Sequence, residues 1–174
     1  MLTHAFTCTG PYAVLIMLGI KRVENRSMLP EPRRGRCAVS CSKSFCKEEF
    51  GAFVHWASRV LPEEDFELIP SWADVKGWPG KVVGACDYAA RGRNELVLEA
   101  DAVRSPNVRG RGRTRQGASL PWDEGYPYWW DLSGIVRFDL PIPCRGNVGM
   151  WPLPAALAAE VARVDALARE DARR

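Results

Sequence analysis

The sequence predicts an α+β fold in which short strands build a small barrel and a few helices flank it. Short apolar segments that suit strands recur along the chain, and helical periodicity is confined to three segments. The regular strand–helix alternation of a doubly wound sheet is missing from the pattern. The 174 residues, 47% of them hydrophobic and 26% charged, suit one domain with its own core.

The first forty residues predict a strand, a helix and a loop. Residues 2–8 suit the strand. The helix runs between Pro11, which a first helical turn tolerates, and Gly19, which suits a left-handed helix end. Residues 24–36 are polar and rich in Pro and Arg, so we interpret them as a loop.

The rest of the chain predicts further strands and two amphipathic helices. Residues 37–41, 81–88 and 134–140 are interpreted as strands, and residues 95–103 as a strand that pairs with 81–88. Residues 46–61 repeat large apolar side chains at intervals of three and four, as a core-packed helix does. Residues 154–174 are rich in Ala and predict a C-terminal helix that follows a domain spanning residues 1–153.

Basic residues are clustered although the net charge is only +3. Five arginines crowd residues 104–115 among glycines, within a segment, 88–122, that we interpret as an insertion carrying an Arg/Gly-rich loop. Such a loop could grip phosphates through Arg109, Arg111 and Arg113. A solvated loop without a ligand is an equally good interpretation.

The cysteine and histidine content limits the possible chemistry. No secretory signal pattern precedes the six cysteines, and the apolar run 12–20 is too short to span a bilayer, so we expect a cytoplasmic protein with reduced thiols and no membrane partner. The spacing of Cys37, Cys41 and Cys46 is not that of a paired zinc knuckle. We expect no metal and no cofactor, and the two histidines lie in no catalytic motif.

Three segments, in order, resemble the signature of the ASCH domain family. The first comprises GPYA at 10–13 and GIKRVENR at 19–26. The second, 34–43, ends in Ser-Lys, and the third, 144–151, resembles a closing Gly-x-x-Gly-x-Trp element. The resemblance implies a PUA-like fold, which is a small, mostly antiparallel β-barrel with short flanking helices.

The same resemblance implies that the chain binds RNA or a modified nucleotide in a cleft around Lys21-x-x-Glu24-x-Arg26. A ribonuclease or an N4-acetylcytidine amidohydrolase is the enzymatic alternative, and a structural accessory domain without a ligand is the third. In the acetylcytidine hydrolases a catalytic threonine stands where this chain has Glu24. A carboxylate cannot replace that hydroxyl, although it could act as a general base for water, so whether the chain is an enzyme stays open.

The chemistry of the motif agrees with either function. Arg26 offers a planar fork that suits phosphate, and Lys21 offers a mobile point charge. Glu24 could accept from a base amine, hold the two cations, or transfer protons together with Lys21 if the chain is an enzyme. A surface salt-bridge cluster of small energetic value is the alternative.

Several further side chains are candidates for the same site, each with a structural alternative. Ser42 could instead cap the following helix, and Asp87 could be a turn residue. A ring of the Trp129–Trp130 pair could stack on a base or could pack over the barrel mouth. Tyr12 could belong to the core or to the cleft wall. The additional candidates are Tyr12, Ser42, Lys43, Asp87, Trp129 and Trp130.

Overall fold

The computed structural model describes residues 2–92 and 127–173, and its centre is one mixed sheet. The six strands are β1 (His4–Cys8), β2 (Val23–Arg26), β3 (Arg34–Cys41), β4 (Lys81–Gly92), β5 (Tyr128–Pro143) and β6 (Met150–Pro152). Their order in the sheet is β2-β5-β4-β3-β1-β6. Only β1 and β3 pair in parallel, so the sheet is mostly antiparallel, as expected.

Five helices of the described residues pack around this sheet. They are α1 (Gly10–Met17), α2 (Lys47–Val60), α3 (Glu63–Phe66), α4 (Trp72–Val75) and α5 (Ala155–Asp171). The α+β class is confirmed, with the helices α1, α2 and α5 close to their predicted bounds. None of the described helices is long and apolar enough to cross a membrane.

The predicted loop 24–36 is wrong at both of its ends. Val23–Arg26 forms β2, which pairs with β5, and β3 begins three residues before Cys37. The polar sequence of β2 is tolerated because the strand lies at the edge of the sheet and its charged side chains pair with one another. The predicted insertion 88–122 starts inside β4; the predicted strand 95–103 and Arg109, Arg111 and Arg113 lie outside the described residues.

The sheet curls into an open half-barrel. In strand order β2 and β1 are four positions apart, which is roughly 19 Å in a flat sheet. Nevertheless, Arg26 Nη2 in β2 donates a hydrogen bond to the Thr7 carbonyl in β1 at 2.9 Å. The register of β4 against β5 shifts twice, and such irregularities increase the local bend of a strand. The curl therefore brings distant strands to one shared cleft.

Two apolar cores lie on opposite faces of the sheet. Phe6 of β1 and Trp130 of β5 meet edge to face at 5.7 Å and belong to the core that α1 and α2 cover. Ala5, the neighbour of Phe6 on the other face, belongs to a second core beneath α5 together with Phe138 and Val161. The site described below lies where the first core meets the curled edge of the sheet.

Candidate ligand-binding cleft

The segment between α1 and β2 directs the predicted motif into the protein interior. Gly19 adopts a left-handed conformation, with φ of 70°, and the amides of Ile20 and Lys21 both donate to the Leu15 carbonyl at 3.0 Å. The chain then enters β2 with Lys21 only 1% and Glu24 only 5% exposed. The motif therefore forms a buried cluster and not an exposed salt bridge.

Glu24 is shared between two cations in this cluster. The Lys21 ammonium lies 3.1 Å from Glu24 Oε2, and Arg26 Nη2 lies 2.9 Å from Glu24 Oε1. Lys21 also donates to the Val23 carbonyl and lies 4.8 Å from the centre of the Tyr12 ring. Buried charges are stable only when opposite charges and hydrogen bonds compensate them, so the three side chains depend on one another.

Arg26 connects the buried cluster to solvent. Its guanidinium carbon lies 5.3 Å from the ring centres of both Phe6 and Trp130, in the distance range of cation–π contacts. Because side chains alternate along a strand, Glu24 and Arg26 point to the same side of β2. Arg26 is the one charged side chain of the motif that lines the adjacent cleft.

This cleft has a volume of about 490 Å³ and an unusual charge distribution. Three cationic side chains and several hydroxyls line it, and among the residues that the structure describes no carboxylate does. The lining residues are Thr7, Cys8, Thr9, Arg26, Cys41, Ser42, Lys43, Gly80, Arg145, Gly146, Asn147, Val148 and Gly149. The cleft is therefore suited to an anionic group.

Two glycines allow the cationic walls to approach each other. Gly80 has φ of 69°, and a Cβ at this position would lie 2.8 Å from Lys43 Cγ, so the lysine stem passes directly over the glycine. The Gly80 carbonyl accepts from the Cys144 amide at 3.1 Å, which anchors the loop that carries Arg145. A Cβ on Gly146 would lie 3.1 Å from Thr7 Oγ1, so that loop also lies directly against β1.

The cysteines that line the cleft are not suited to nucleophilic chemistry. Burial is the main cause that raises the pKa of Cys8 well above its ordinary value. Burial, with the charge of Glu49 adding to it, raises the pKa of Cys41 to about 12. Both groups therefore stay protonated at neutral pH, whereas the reactive form of cysteine is the thiolate.

The structure brings five of the predicted site residues to one place, in two layers. Arg26, Ser42 and Lys43 line the cleft itself. Lys21 and Glu24 lie directly behind Arg26, where they contact it or each other rather than the cleft. The inner layer therefore orients Arg26, and the outer layer is accessible to a ligand.

The remaining predicted residues lie away from the cleft lining. Tyr12 contacts Lys21. Trp130, which is 2% exposed, lies beneath the Arg26 guanidinium, and Trp129 faces the other side of β5. Asp87 forms an ion pair with Arg36 at 3.1 Å, and it is not among the residues around the cleft.

Sequence reasoning missed the residues that reach the cleft from β1 and from the loop after β5. Thr7 and Thr9 flank the end of a strand that carries no motif. Arg145 precedes Gly146, Asn147 and a second glycine, and this basic, glycine-rich loop was interpreted only as part of the family signature. A cation beside glycines in a turn was the signal available for Arg145.

Comparison with known proteins finds a likeness among solved structures. No family model and no curated protein matches it. The solved structures include the crystal structure of a mutant of the ZmASCH protein from Zymomonas mobilis, which is similar with 13% sequence identity and a TM-score of 0.49. The match covers 92% of this chain and 96% of that one. Membership in the ASCH family stays a prediction from the sequence motifs.

Proposed function

We propose that this chain is an ASCH-type binding module that holds a phosphate group of RNA or of a nucleotide in the cleft. The observation that carries the proposal is that Arg26, Lys43 and Arg145 line the cleft while no described carboxylate does. Guanidinium groups match phosphate oxygens in geometry, and a lysine adds a point charge. The volume of about 490 Å³ lies within the usual range of small-molecule pockets, roughly 300–1,000 Å³.

The buried layer supports binding more than catalysis. Lys21 and Glu24 form an ion pair, and Glu24 also pairs with Arg26, so both are positioning residues that hold the guanidinium at the cleft. Within the described residues, neither a histidine nor a carboxylate lines the cleft to act as a general base, and the Cys8 and Cys41 thiols are protonated. The hydrolase alternative therefore has no observation in its favour here.

Fluorescence anisotropy with a labelled single-stranded oligouridylate tests the proposal. Between about 50 and 200 mM salt, three phosphate contacts on a single strand give a slope of log K against log salt of about −2. We expect Arg26→Gln to weaken binding the most, because Arg26 is the cation that the buried cluster orients. AMP is added as a competitor to show whether a single nucleotide occupies the same cleft.

A matched charge control makes this experiment decisive. Lys76 is exposed and lies outside the cleft, so Lys76→Gln removes the same charge as Lys43→Gln without altering the lining. We expect weaker binding and a shallower salt slope for Lys43→Gln alone. The proposal is overturned if wild-type protein binds neither ligand at low salt, or if the two variants weaken binding equally.

A further inference from the structure

Thr7 lies in β1 on the cleft, and its side chain is held by Trp151 of β6. The indole Nε1 of Trp151 donates to Thr7 Oγ1 at 3.1 Å, and Trp151 is only 5% exposed. The backbone carbonyl of Thr7 accepts from Arg26 Nη2 at 2.9 Å. Thr7 therefore contacts the indole through its side chain and the guanidinium through its backbone.

The chemistry of this contact fixes the role of the hydroxyl. An indole N–H can only donate, whereas a hydroxyl has one donor and two acceptor sites. Thr7 Oγ1 must therefore accept from Trp151, and its own proton remains for a different partner. Thr7 also lines the cleft, so an acceptor bound there can take this proton.

We infer that the Thr7 hydroxyl donates a hydrogen bond to an oxygen of a phosphate bound in the cleft. This inference rests on the proposed function and adds a residue that carries no charge. The three cations attract any anion, while Thr7 supplies a donor with a fixed direction. The phosphate can be the terminal group of a nucleotide or a diester within an RNA strand.

The test compares Thr7→Val with Thr7→Ser in the same anisotropy experiment. Valine keeps the branched shape and removes the hydroxyl, whereas serine keeps the hydroxyl. We expect Thr7→Val to weaken oligouridylate binding about tenfold, as loss of a hydrogen bond to a charged group does, and Thr7→Ser to stay within about twofold. Because no charge is lost, the salt slope of Thr7→Val stays that of wild type, unlike the slope of Lys43→Gln.

A double-mutant cycle with Trp151→Phe tests the orienting role of the indole. Phenylalanine keeps an aromatic ring but donates no hydrogen bond, so the Thr7 hydroxyl can turn away. We expect binding to weaken about threefold in the wild-type background and to stay unchanged in the Thr7→Val background, which is the coupling expected of contacting groups. Thermal unfolding of each variant confirms that the fold is kept.

The outcomes separate this inference from the proposed function. If wild type binds and Thr7→Val binds equally tightly, or if Thr7→Ser fails to restore binding, the role of Thr7 is overturned while the cleft remains an anion site. If wild type binds nothing, the proposed function itself fails. If Thr7→Val weakens the binding of AMP as a competitor, the hydroxyl donates to a terminal phosphate. If Thr7→Val weakens only the binding of the oligouridylate, the hydroxyl donates to a diester. If Thr7→Val does not fold, the Thr7→Ser and Trp151→Phe variants decide.

Discussion

Two arginine-centred clusters lie on different parts of the same sheet, and they use their guanidinium groups differently. Arg36 of β3 holds α5, whereas Arg26 of β2 borders the cleft. Both are surrounded by carboxylates and backbone carbonyls, and both come from polar stretches of similar composition. The comparison shows which contacts distinguish a structural arginine from one that can bind a ligand.

Arg36 is fully used by the protein. Its Nε and Nη2 donate to the two oxygens of Asp165 at 2.7 and 2.5 Å, in a bidentate fork. Its Nη1 donates to the Gly134 carbonyl at 3.0 Å and pairs with Asp87 at 3.1 Å. Burial opposes the charge of Arg36, but the hydrogen bonds and charges of Asp165 and Asp87 outweigh it, so the pKa of Arg36 is raised.

Arg26 is only partly used by the protein. Its contacts with Glu24 and with the Thr7 carbonyl both involve Nη2, and its buried Nε makes no hydrogen bond to the described residues. Neither of these contacts uses Nη1, and Arg26 lines the cleft, so Nη1 is the donor that a ligand in the cleft can reach. An arginine held on one edge by protein and open on the other is preorganised for an anion, because its orientation is fixed before the ligand arrives.

The largest effect is expected for Glu24→Gln. This change removes the carboxylate that Lys21 and Arg26 share, and it leaves a lysine that is 1% exposed with an uncompensated charge. We expect the free energy of unfolding to fall by about 3 kcal/mol, as for other broken buried ion pairs. Urea denaturation measures the loss. Glu160→Gln, at an exposed position of α5, is the control, and a similar small change in both variants would contradict a structural role for the cluster.

A smaller effect is expected for Asp165→Asn, in the other cluster. Asn keeps the shape, and Asp87 and the Gly134 carbonyl still contact Arg36, so we expect a loss of about 2 kcal/mol in the free energy of unfolding. The affinity for oligouridylate should not change, because Asp165 is remote from the cleft lining. An affinity loss as large as that of Arg26→Gln would mean that the two clusters are not independent.

Arg145→Gln should affect binding and leave stability unchanged. The side chain is exposed on the loop after β5 and lines the cleft. We expect about fivefold weaker binding and a salt slope shallower by about 0.7, the value for one contact to a single strand. Arg59→Gln, exposed on α2, is the matched control. Equal binding by Arg145→Gln and wild type would remove this loop from the proposed site.

The elements that could be predicted from the sequence are those with a local cause. Pro11 and Gly19 delimit α1 through proline and glycine chemistry, and the apolar repeat of 46–61 corresponds to α2. The strand Val23–Arg26 was missed because Val23 alone among its four residues favours a strand. Its stability comes from pairing with β5 and from the Lys21–Glu24–Arg26 cluster, both of which depend on the folded chain.

The candidate site was only partly predictable for the same reason. The motif indicated Arg26, and its second segment indicated Ser42 and Lys43, all three of which line the cleft. The sequence could not show that Lys21 and Glu24 are buried, since charged residues in a polar stretch are usually exposed. Thr7 and Arg145 reach the cleft only because the sheet curls, and sheet curvature follows from long-range pairing that periodicity does not encode.

The last prediction concerns the thiols around the cleft, whose effect on stability appears only at alkaline pH. The pKa of Cys41 rises from 9.0 to about 12 on folding, mainly through burial. A group that binds its proton more tightly in the folded state contributes stability that is complete below its unfolded pKa and is lost as the pH rises through its folded pKa. The free energy of unfolding should therefore fall between about pH 9 and about pH 12.

Urea unfolding under reducing conditions, below and above about pH 9, measures this loss. The same experiment distinguishes the cleft side of the sheet from the cluster around Arg36. Cys41→Ala should reduce the alkaline loss, although the Cys8 thiol, whose pKa is also raised, keeps part of it. Cys46→Ser, at an exposed thiol, should leave the loss unchanged. Asp165→Asn should also leave it unchanged, because the raised pKa of Arg36 keeps that cluster charged throughout this pH window. If Asp165→Asn alters the alkaline loss as much as Cys41→Ala does, the loss does not originate on the cleft side of the sheet.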